Sequence, residues 1–130
     1  MNTGASSGSC PFCDLPADRV VVQNALALAF RDGFPVTEGH SLVIPRRHVV
    51  DYFGLTAEEV LACNELLHML RKQIQAADPS VTGFNVGMNA GHDAGQSVFH
   101  CHIHLIPRRS GDVANPRGGV RHVIPFKGNY

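Results

Sequence analysis

The chain has 130 residues, the length of one domain whose core is large enough to need no cross-links. Apolar residues make up 44% and charged residues 17%, which is typical of a soluble globular protein and excludes a disordered one. Eleven basic and eleven acidic side chains give a formal net charge of zero, so nothing favours a nucleic acid or an acidic membrane as partner.

The first nine residues, 1–9, are small and polar, and we expect them to form a disordered tail. They lack the charged and apolar segments of a secretion signal. No apolar run in the chain approaches the roughly 20 residues that span a bilayer. The sequence therefore predicts a cytoplasmic protein with no membrane partner.

Cys10 and Cys13 form a Cys-x-x-Cys pair directly after this tail. In a reducing compartment such a pair is more often half of a metal site, or a redox centre, than a structural disulfide. A thioredoxin-like pair would lie between a strand and a helix, so the position after a tail favours a metal. Cys63 and Cys101 stand alone within periodic segments and are expected to be small buried apolar residues.

Three strands are predicted before a single long helix, at residues 20–22, 25–30 and 41–45. Thr56 and Glu59 have the spacing of a capping box, which predicts the start of the helix. A stripe at spacings of three and four then predicts about five turns, ended by Asp78-Pro79. The stripe consists of Val60, Cys63, Leu67, Leu70 and Ile74.

A fourth strand is predicted at residues 83–89, and a glycine-rich loop leads from it into an alternating run from Phe99 to Leu105. On a strand, His100, His102 and His104 would line one face, and the opposite face would carry Phe99, Cys101, Ile103 and Leu105. The outer two histidines would then lie about 13 Å apart at the backbone, too far to share one small ion. This geometry favours a central reacting imidazole, His102, with a supporting imidazole on each side.

One helix and about five strands predict an α+β domain built on a mostly antiparallel five-stranded sheet. We assign residues 10–109 to this catalytic domain. Residues 110–130 would form a C-terminal extension that packs on the domain or on a partner chain.

The run His100-Cys101-His102-Ile103-His104-Leu105-Ile106 resembles the signature of the histidine triad (HIT) family of nucleotide hydrolases and transferases. The flanking segments 95–97 and 106–108, and the upstream segments 30–32 and 39–48, resemble that family as well. The resemblance covers residues 20–109, most of the chain. It implies a purine nucleotide substrate and a homodimer in which two sheets join edge to edge.

A neutral imidazole can attack phosphorus near pH 7, because its unperturbed pKa of about 6.5 leaves the free base populated. We assign His102 as the nucleophile, as the resemblance also implies, and expect a phosphoramidate intermediate. His104 could donate to a phosphate or leaving-group oxygen. Neutral donors to phosphate are expected from Asn89, Gln96 and Ser97, and Gly95 would let the backbone approach the phosphate closely.

Further roles follow from the resemblance alone. It implies that Asp32 accepts hydrogen bonds from the ribose hydroxyls, that Phe30 lines the base pocket, and that His40 lies near the nucleophile and orients it. The residues by themselves leave other interpretations open, because Asp32 could simply form a turn and Phe30 could be a core residue.

The resemblance also implies that His48 and His100 complete a zinc site with Cys10 and Cys13. A full set of four ligands makes such a zinc structural, and no catalytic cofactor is expected. His100 would then have two duties, because it would also brace the segment that carries His102.

Three functions remain open from the sequence. The first is an enzyme that cleaves either dinucleoside polyphosphates or nucleoside phosphoramidates through a nucleotidyl-His102 intermediate. The second is a zinc metallohydrolase that uses His100, His102 and His104 as ligands, although no well-placed general-base carboxylate accompanies them. The third is a nucleotide-binding signalling protein whose turnover is incidental.

Overall fold

A computed structural model describes residues 10–130, so the tail expected at residues 1–9 lies outside the described part of the chain. Short 3-10 turns occur at Ala17–Arg19, Tyr52–Gly54, His92–Ala94 and Gly119–Val123. The regular elements, in chain order, are β1 (Val20–Gln23), β2 (Ala27–Arg31), β3 (Ser41–Pro45), α1 (Ala57–Ala77), β4 (Val81–Gly87) and β5 (Ile103–Arg109).

The five strands form one sheet in the order β1-β2-β3-β5-β4, and every neighbouring pair is antiparallel. Helix α1 packs across one face of this sheet. The α+β architecture expected from the sequence, a five-stranded antiparallel sheet with one long helix, is therefore confirmed. Within residues 10–130, no helix has the length and apolar character needed to cross a membrane.

The two faces of the sheet bury different groups of side chains, because consecutive residues of a strand point to opposite faces. The face under the helix is aliphatic. It carries Ala29, Val43, Ile103 and Leu105 against Cys63, Leu66, Leu70 and Ile74 of α1. The opposite face buries a smaller cluster of Phe30, Leu42 and Ile44, with Phe12, Leu15 and Leu28 packed around it.

Helix α1 begins where the sequence predicts, because the capping box forms in full. The Thr56 hydroxyl accepts a hydrogen bond from the Glu59 amide at 3.1 Å, and the Glu59 carboxylate accepts one from the Thr56 amide at 2.9 Å. With 21 residues the helix makes nearly six turns rather than five. Its buried ridge runs through Leu66, and Leu67 is only partly buried at the edge of the core.

Two of the strands have different ends from those predicted. The side-chain oxygen of Asn24 accepts hydrogen bonds from the amides of Leu26 and Ala27, which holds this segment in a turn and delays the start of β2. Strand β4 occupies residues 81–87 rather than 83–89, because its pairing partner β5 ends the ladder at the Gly87–His104 pair.

The histidine-rich strand also differs from expectation, because β5 begins only at Ile103. Before it, the Cys101 amide donates to the Val49 carbonyl at 2.6 Å, so this segment is bound to the loop after β3 rather than to a strand. His100 and His102 therefore precede the strand. Phe99, which was expected on the opposite face of this strand, also precedes it, and the residue is 44% exposed.

Cys63 and Cys101 are buried, as the sequence predicts. Burial raises the pKa of the Cys63 thiol to about 11 and that of the Cys101 thiol to about 12. Both side chains therefore behave as uncharged packing groups at neutral pH.

The C-terminal extension lies beside the free edge of β4. Its 3-10 turn, Gly119–Val123, approaches so closely that a Cβ atom on Gly119 would lie 3.3 Å from the Asn85 side-chain nitrogen. The ring of Tyr130 packs against the guanidinium groups of Arg117 and Arg121, at 4.6 and 4.7 Å. The extension therefore has internal contacts of its own and forms one wall beside the sheet.

Candidate active site

The central histidine of the alternating run has a fixed orientation. His102 is buried, and its Nδ1 lies 2.8 Å from the backbone carbonyl oxygen of His100. A carbonyl only accepts, so Nδ1 must carry the proton in the neutral ring. The lone pair of the ring therefore sits on Nε2, the nitrogen that points away from the backbone, and this nitrogen is free to act as a nucleophile.

The protonation of His104 is set by a chain of two hydrogen bonds. The backbone amide of Val36 donates to Nδ1 of His40 at 3.1 Å, so the proton of the neutral His40 ring is on Nε2. That Nε2 donates to Nδ1 of His104 at 2.9 Å, which leaves the proton of His104 on its own Nε2. His104 is thus arranged as a donor. His40, which the resemblance implies to lie near the nucleophile and to orient it, makes its hydrogen bond to His104.

Both members of this pair are held in the neutral form. Burial lowers the pKa of His40, and the nearby Asp32 carboxylate opposes that change only in part. Burial also lowers the pKa of His104, with further lowering from the neighbouring His102 and His40 rings. At neutral pH, His104 therefore offers a hydrogen bond without carrying a positive charge.

Asp32 has the features of both interpretations that the sequence left open. One carboxylate oxygen accepts from the Phe34 amide at 2.9 Å, which makes the turn after β2. The other oxygen lies 3.4 Å from Nε2 of His40, and the Asp32 side chain is 16% exposed. This second oxygen has remaining lone pairs, so it could still accept from a ligand hydroxyl.

Phe30 is a fully buried core residue, and an unpredicted aromatic ring packs against it. The ring of Phe12 lies 5.3 Å from that of Phe30 and 5.1 Å from that of His102, both edge-on. Phe12 stands between the two cysteines of the Cys-x-x-Cys pair, and its ring connects that pair to the ring of His102. The only feature of the sequence that could have indicated a role for Phe12 is its position between two candidate metal ligands.

The loop before the histidine run is braced by Gln96. Its side-chain oxygen accepts from the Gly91 amide at 2.9 Å, and its side-chain nitrogen donates to the carbonyls of Val50 and Val98 at 2.6 and 3.1 Å. Because Gln96 is buried and its amide protons are occupied, it holds the loop in place. The structure therefore gives no free Gln96 donor for the phosphate contact that the sequence suggested.

Of the other three residues expected to bind substrate, Asn89 lines the cavity beside the site, and Gly95 and Ser97 are exposed. Gly95 adopts a positive φ of 96°, a conformation that favours glycine. Ser97 is exposed and Asn89 is half-buried. Neither side chain has a hydrogen-bond partner among residues 10–130, so both could bind a ligand.

A cavity of about 800 Å³ opens beside His40, His104 and Asn89. Its lining includes the two histidines, Asn89 and residues of β4. The far wall comes from the C-terminal extension between Val113 and Val123. No sequence pattern pointed to this contribution, because the extension has no regular periodicity.

The four predicted zinc ligands lie together. Their ligand atoms are within 4.8 Å of one another. The Cys10 sulfur is 3.5 Å from Nδ1 of His100, and the Cys13 sulfur is 3.2 Å from Nδ1 of His48 and 3.6 Å from Nδ1 of His100. A tetrahedral zinc with ordinary Zn–S and Zn–N bonds requires sulfur–nitrogen separations of about 3.5 Å, so the set fits this ion.

The hydrogen bonds of His100 agree with a role as a ligand. Its Nε2 donates to the Pro45 carbonyl at 2.9 Å, which leaves the lone pair on Nδ1, the atom that faces both sulfurs. Burial lowers the pKa of His100, so the ring stays neutral as a ligand must. The Cys13 amide donates to the Cys10 sulfur at 3.3 Å, which would support a thiolate.

A second cluster, formed by Asp32, His40 and His104, is not suited to binding a metal ion. A metal there would need the lone pair of Nε2 on His40, but the Val36 amide already requires the lone pair to be on Nδ1. This cluster is therefore a hydrogen-bonded relay. His100, His102 and His104 do not appear together in any potential metal-binding group of residues 10–130, which argues against a metallohydrolase built on the three histidines.

Comparisons with known proteins agree with this architecture. The family model described as "HIT domain" matches residues 16–111. The adenosine 5′-monophosphoramidase of Schizosaccharomyces pombe is 37% identical over 105 residues, which cover 77% of this chain and 74% of that protein.

Two solved structures are also similar. A crystal structure of a HIT family protein from Bacillus anthracis has a TM-score of 0.72 and 39% identity, and the match covers 78% of this chain and 74% of that one. A zinc-bound histidine triad family protein from Mycobacterium smegmatis has a TM-score of 0.74 and 34% identity, covering 84% and 81% of the two chains.

Proposed function

Because this chain belongs to the HIT domain family, we propose that it is a nucleotide hydrolase or nucleotidyl transferase with His102 as its nucleophile. Its substrates would be nucleoside phosphate derivatives, either phosphoramidates or dinucleoside polyphosphates. The observation that carries the proposal is the hydrogen bond from Nδ1 of His102 to the His100 carbonyl, because it leaves the lone pair on Nε2.

The reaction would proceed in two displacements at phosphorus. Nε2 of His102 attacks the phosphorus next to the nucleoside, a nitrogen–phosphorus bond forms, and the bond to the leaving group breaks. The leaving group departs with that electron pair and takes a proton from water. A water molecule or another acceptor then cleaves the nucleotidyl-His102 bond, so hydrolysis consumes one water and releases a nucleoside monophosphate.

Neighbouring groups would stabilise the charge that develops on the phosphate oxygens. His104 would donate from Nε2, and its neutral form is supported by the hydrogen bond from His40. Asn89 and Ser97 would add neutral donors, and the positive φ of Gly95 supports a close approach of the backbone. Gln96 would act indirectly, by holding this loop.

The nucleoside would lie on the side of His102 that carries the aromatic rings. Phe12, which packs 5.3 Å from the buried ring of Phe30, would offer an apolar contact to a purine base. The Asp32 carboxylate, whose side chain is partly exposed, would accept from the ribose hydroxyls.

We propose that Cys10, Cys13, His48 and His100 bind a structural zinc ion. The sulfur–nitrogen distances of 3.2 to 3.6 Å and the relative in Mycobacterium smegmatis support this assignment. With four protein ligands the ion would have no open position for water. It would therefore link the segments that carry its ligands and would not take part in the reaction. His100 would then bind the ion through its side chain and orient His102 through its backbone carbonyl.

A cytoplasmic homodimer is the assembly that we propose. Strand β4 lies at the edge of the sheet and exposes Val86, which supports pairing of two copies through this edge. A reducing cytoplasm would keep the thiols of Cys10 and Cys13 available for zinc. Sedimentation equilibrium of the purified protein would measure the mass of the assembly.

The test of the proposed function is to trap the intermediate. A substrate labelled at the phosphorus next to the nucleoside should, after rapid quenching in alkali, leave its label on the peptide that contains His102. His102→Asn should remove both the label and the turnover, lowering kcat by more than about 1,000-fold. The exposed helix residue His68 provides a matched control, since His68→Asn should keep full activity. Label on another residue, or normal turnover by His102→Asn, would refute the assignment.

A further inference from the structure

Arg19 is a charged side chain beside the aromatic rings of the candidate active site, and the reaction proposed above gives it no role. The carbon of its guanidinium group lies 5.3 Å from the centroid of the Phe30 ring. The ring of Phe12 packs against the same ring, also with a centroid distance of 5.3 Å. Phe30 is buried on the face of the sheet that carries the histidines, so Arg19 and Phe12 are both neighbours of the proposed nucleoside site.

The same guanidinium lies beside the turn that carries Asp32. Its Nη2 donates to the Arg31 carbonyl oxygen at 3.0 Å. A Cβ atom on Gly33 would lie 3.8 Å from this nitrogen and, its two chain neighbours apart, would meet no other atom of residues 10–130 within 4 Å. Arg19 therefore borders both groups proposed to hold the nucleoside, which are Phe12 for the base and Asp32 for the ribose.

Most of the hydrogen-bonding capacity of Arg19 is unused. A guanidinium group carries a planar fork of N–H donors and keeps its charge at any pH near neutrality. Within residues 10–130, Arg19 donates one hydrogen bond, to the Arg31 carbonyl, and forms no ion pair with a carboxylate. The residue is exposed, so its remaining N–H groups are available to a ligand that carries acceptors.

The edges of the purine bases differ in the chemistry that such a group recognises. Guanine and hypoxanthine present two adjacent acceptors, O6 and N7, and the fork of one guanidinium can donate to both. Adenine presents N7 next to an amino group, which is a donor and would face the donors of the guanidinium. A guanidinium at the base therefore favours a 6-oxopurine over adenine.

We propose that Arg19 determines the base specificity of this site by donating to O6 and N7 of a 6-oxopurine. The protein would then act on guanosine or inosine derivatives in preference to adenosine derivatives. This inference rests on the proposed function and adds to it the class of base, whatever the leaving group is. Phe12 would pack on the base, Asp32 would bind the ribose, and Arg19 would select the base edge.

The test compares four nucleoside 5′-phosphoramidates that share an unsubstituted amine as the leaving group and differ only in the base. The nucleosides are guanosine, inosine, adenosine and 7-deazaguanosine. The intact protein should show a kcat/KM about tenfold higher for the guanosine and inosine compounds than for the adenosine compound. The 7-deazaguanosine compound keeps O6 but lacks N7, so its kcat/KM should lie between those of the guanosine and adenosine compounds.

Arg19→Met tests whether this side chain causes the preference, because methionine keeps an apolar stem and has no donors. Its kcat/KM should fall about tenfold for the guanosine and inosine compounds and stay within about twofold for the adenosine compound. Arg46→Met is the matched control. Arg46 also donates to a backbone carbonyl, that of Asn24 at 2.9 and 3.0 Å, but at the other end of β1. This variant should keep the wild-type preference.

The outcomes separate this inference from the proposed function. If the intact protein hydrolyses the guanosine, inosine and adenosine compounds equally, or prefers adenosine, the role of Arg19 is refuted and the proposed function stands. The same holds if Arg19→Met slows all four substrates alike, since Arg19 would then only hold the turn to β2.

If none of the four compounds is hydrolysed, calorimetric titration with guanosine and adenosine monophosphates decides the question. Binding of the guanosine compound about tenfold tighter, lost in Arg19→Met and kept in Arg46→Met, would support the role of Arg19 although the proposed function had failed. Equal binding of the two nucleotides would refute it.

Discussion

Backbone atoms determine which nitrogen of each site histidine carries the proton. The carbonyls of His100 and Pro45 accept from His102 and His100, and the amide of Val36 donates to His40. Main-chain groups cannot titrate near neutral pH, so they fix each ring more firmly than another side chain would. The result is one ring with a free lone pair on Nε2 and another with a free proton on Nε2, a pairing suited to displacement at phosphorus.

Val36→Pro tests this control, because proline lacks the amide proton that His40 accepts. Without it, both tautomers of His40 become accessible, and His104 loses its fixed donor. We expect kcat to fall about 5- to 10-fold, which corresponds to the loss of one hydrogen bond worth about 1 kcal/mol. Nitrogen NMR of the imidazoles should show mixed tautomers for His40 and His104.

Val36→Ala keeps the amide and should retain the wild-type rate and a single tautomer for each ring. If Val36→Pro reduces kcat while both rings keep their tautomers, the relay is not the cause. A loss of thermal stability alone would not change the tautomers, so the NMR measurement separates a folding defect from the proposed effect.

The sequence pattern predicted the arrangement of the histidines better than it predicted the groups to which they and their neighbours form hydrogen bonds. Alternation predicted His104 as a neighbour of His102 on one face, and the two rings are 5.3 Å apart. It could not indicate that Gln96 turns inward, because a carboxamide in a glycine-rich loop can bond to a ligand or to its own backbone equally well. Contacts made by a backbone amide, such as that of Val36, leave no trace in the side-chain pattern.

At the scale of elements, the sequence correctly predicted those boundaries that depend on a hydrogen bond between a side chain and the backbone a few residues away. The capping box located the start of α1, since both of its hydrogen bonds join residues three apart. The start of β5 was predicted wrongly because the contact that excludes Cys101 from the strand joins it to Val49, far away in the chain. The cavity wall was missed for the same reason, because only the folded chain brings the extension to β4.

Thr56→Ala tests the importance of the capping box. The Thr56 hydroxyl is the acceptor for the Glu59 amide, and this first turn also holds Arg47, whose guanidinium donates to the Glu59 carboxylate. We expect the free energy of unfolding to fall by about 1 kcal/mol, the usual cost of losing a side-chain cap. Urea denaturation monitored by circular dichroism would measure it.

Thr56→Ser keeps the hydroxyl and should lose much less stability than Thr56→Ala. Neither substitution should change kcat, because α1 lies on the face of the sheet opposite to the cluster of Phe30 and Leu42. Equal stability of the alanine and serine variants would show that the cap contributes little.

At the scale of the whole molecule, the main aliphatic core and the candidate active site lie on opposite faces of the sheet. Its helical face buries the larger aliphatic core, and its other face carries the aromatic cluster and the histidines. The four candidate zinc ligands come from three separate segments, one before β1, one after β3 and one before β5. An ion bound there would join these segments at the end of the site, next to the residue whose carbonyl orients His102.

Removal of the proposed zinc should therefore affect stability more than chemistry. After dialysis against a strong chelator, we expect Tm to fall by several degrees, because the ion binds the folded but not the unfolded chain. The protein should keep most of its kcat, since a site with four protein ligands has no position for a reacting water. Metal analysis, calorimetry and turnover of the same samples would measure the three quantities.

The double variant Cys10→Ala/Cys13→Ala should have the same lowered Tm and nearly unchanged kcat as the chelator-treated protein, and the chelator should not change either quantity further. Cys63→Ala is the matched control, because that thiol is buried under α1 and is absent from the ligand cluster. It should lose stability through packing and yet keep one zinc per chain and its sensitivity to the chelator. If the metal-free protein remains folded but loses turnover completely, the ion has a chemical role and the structural assignment is wrong.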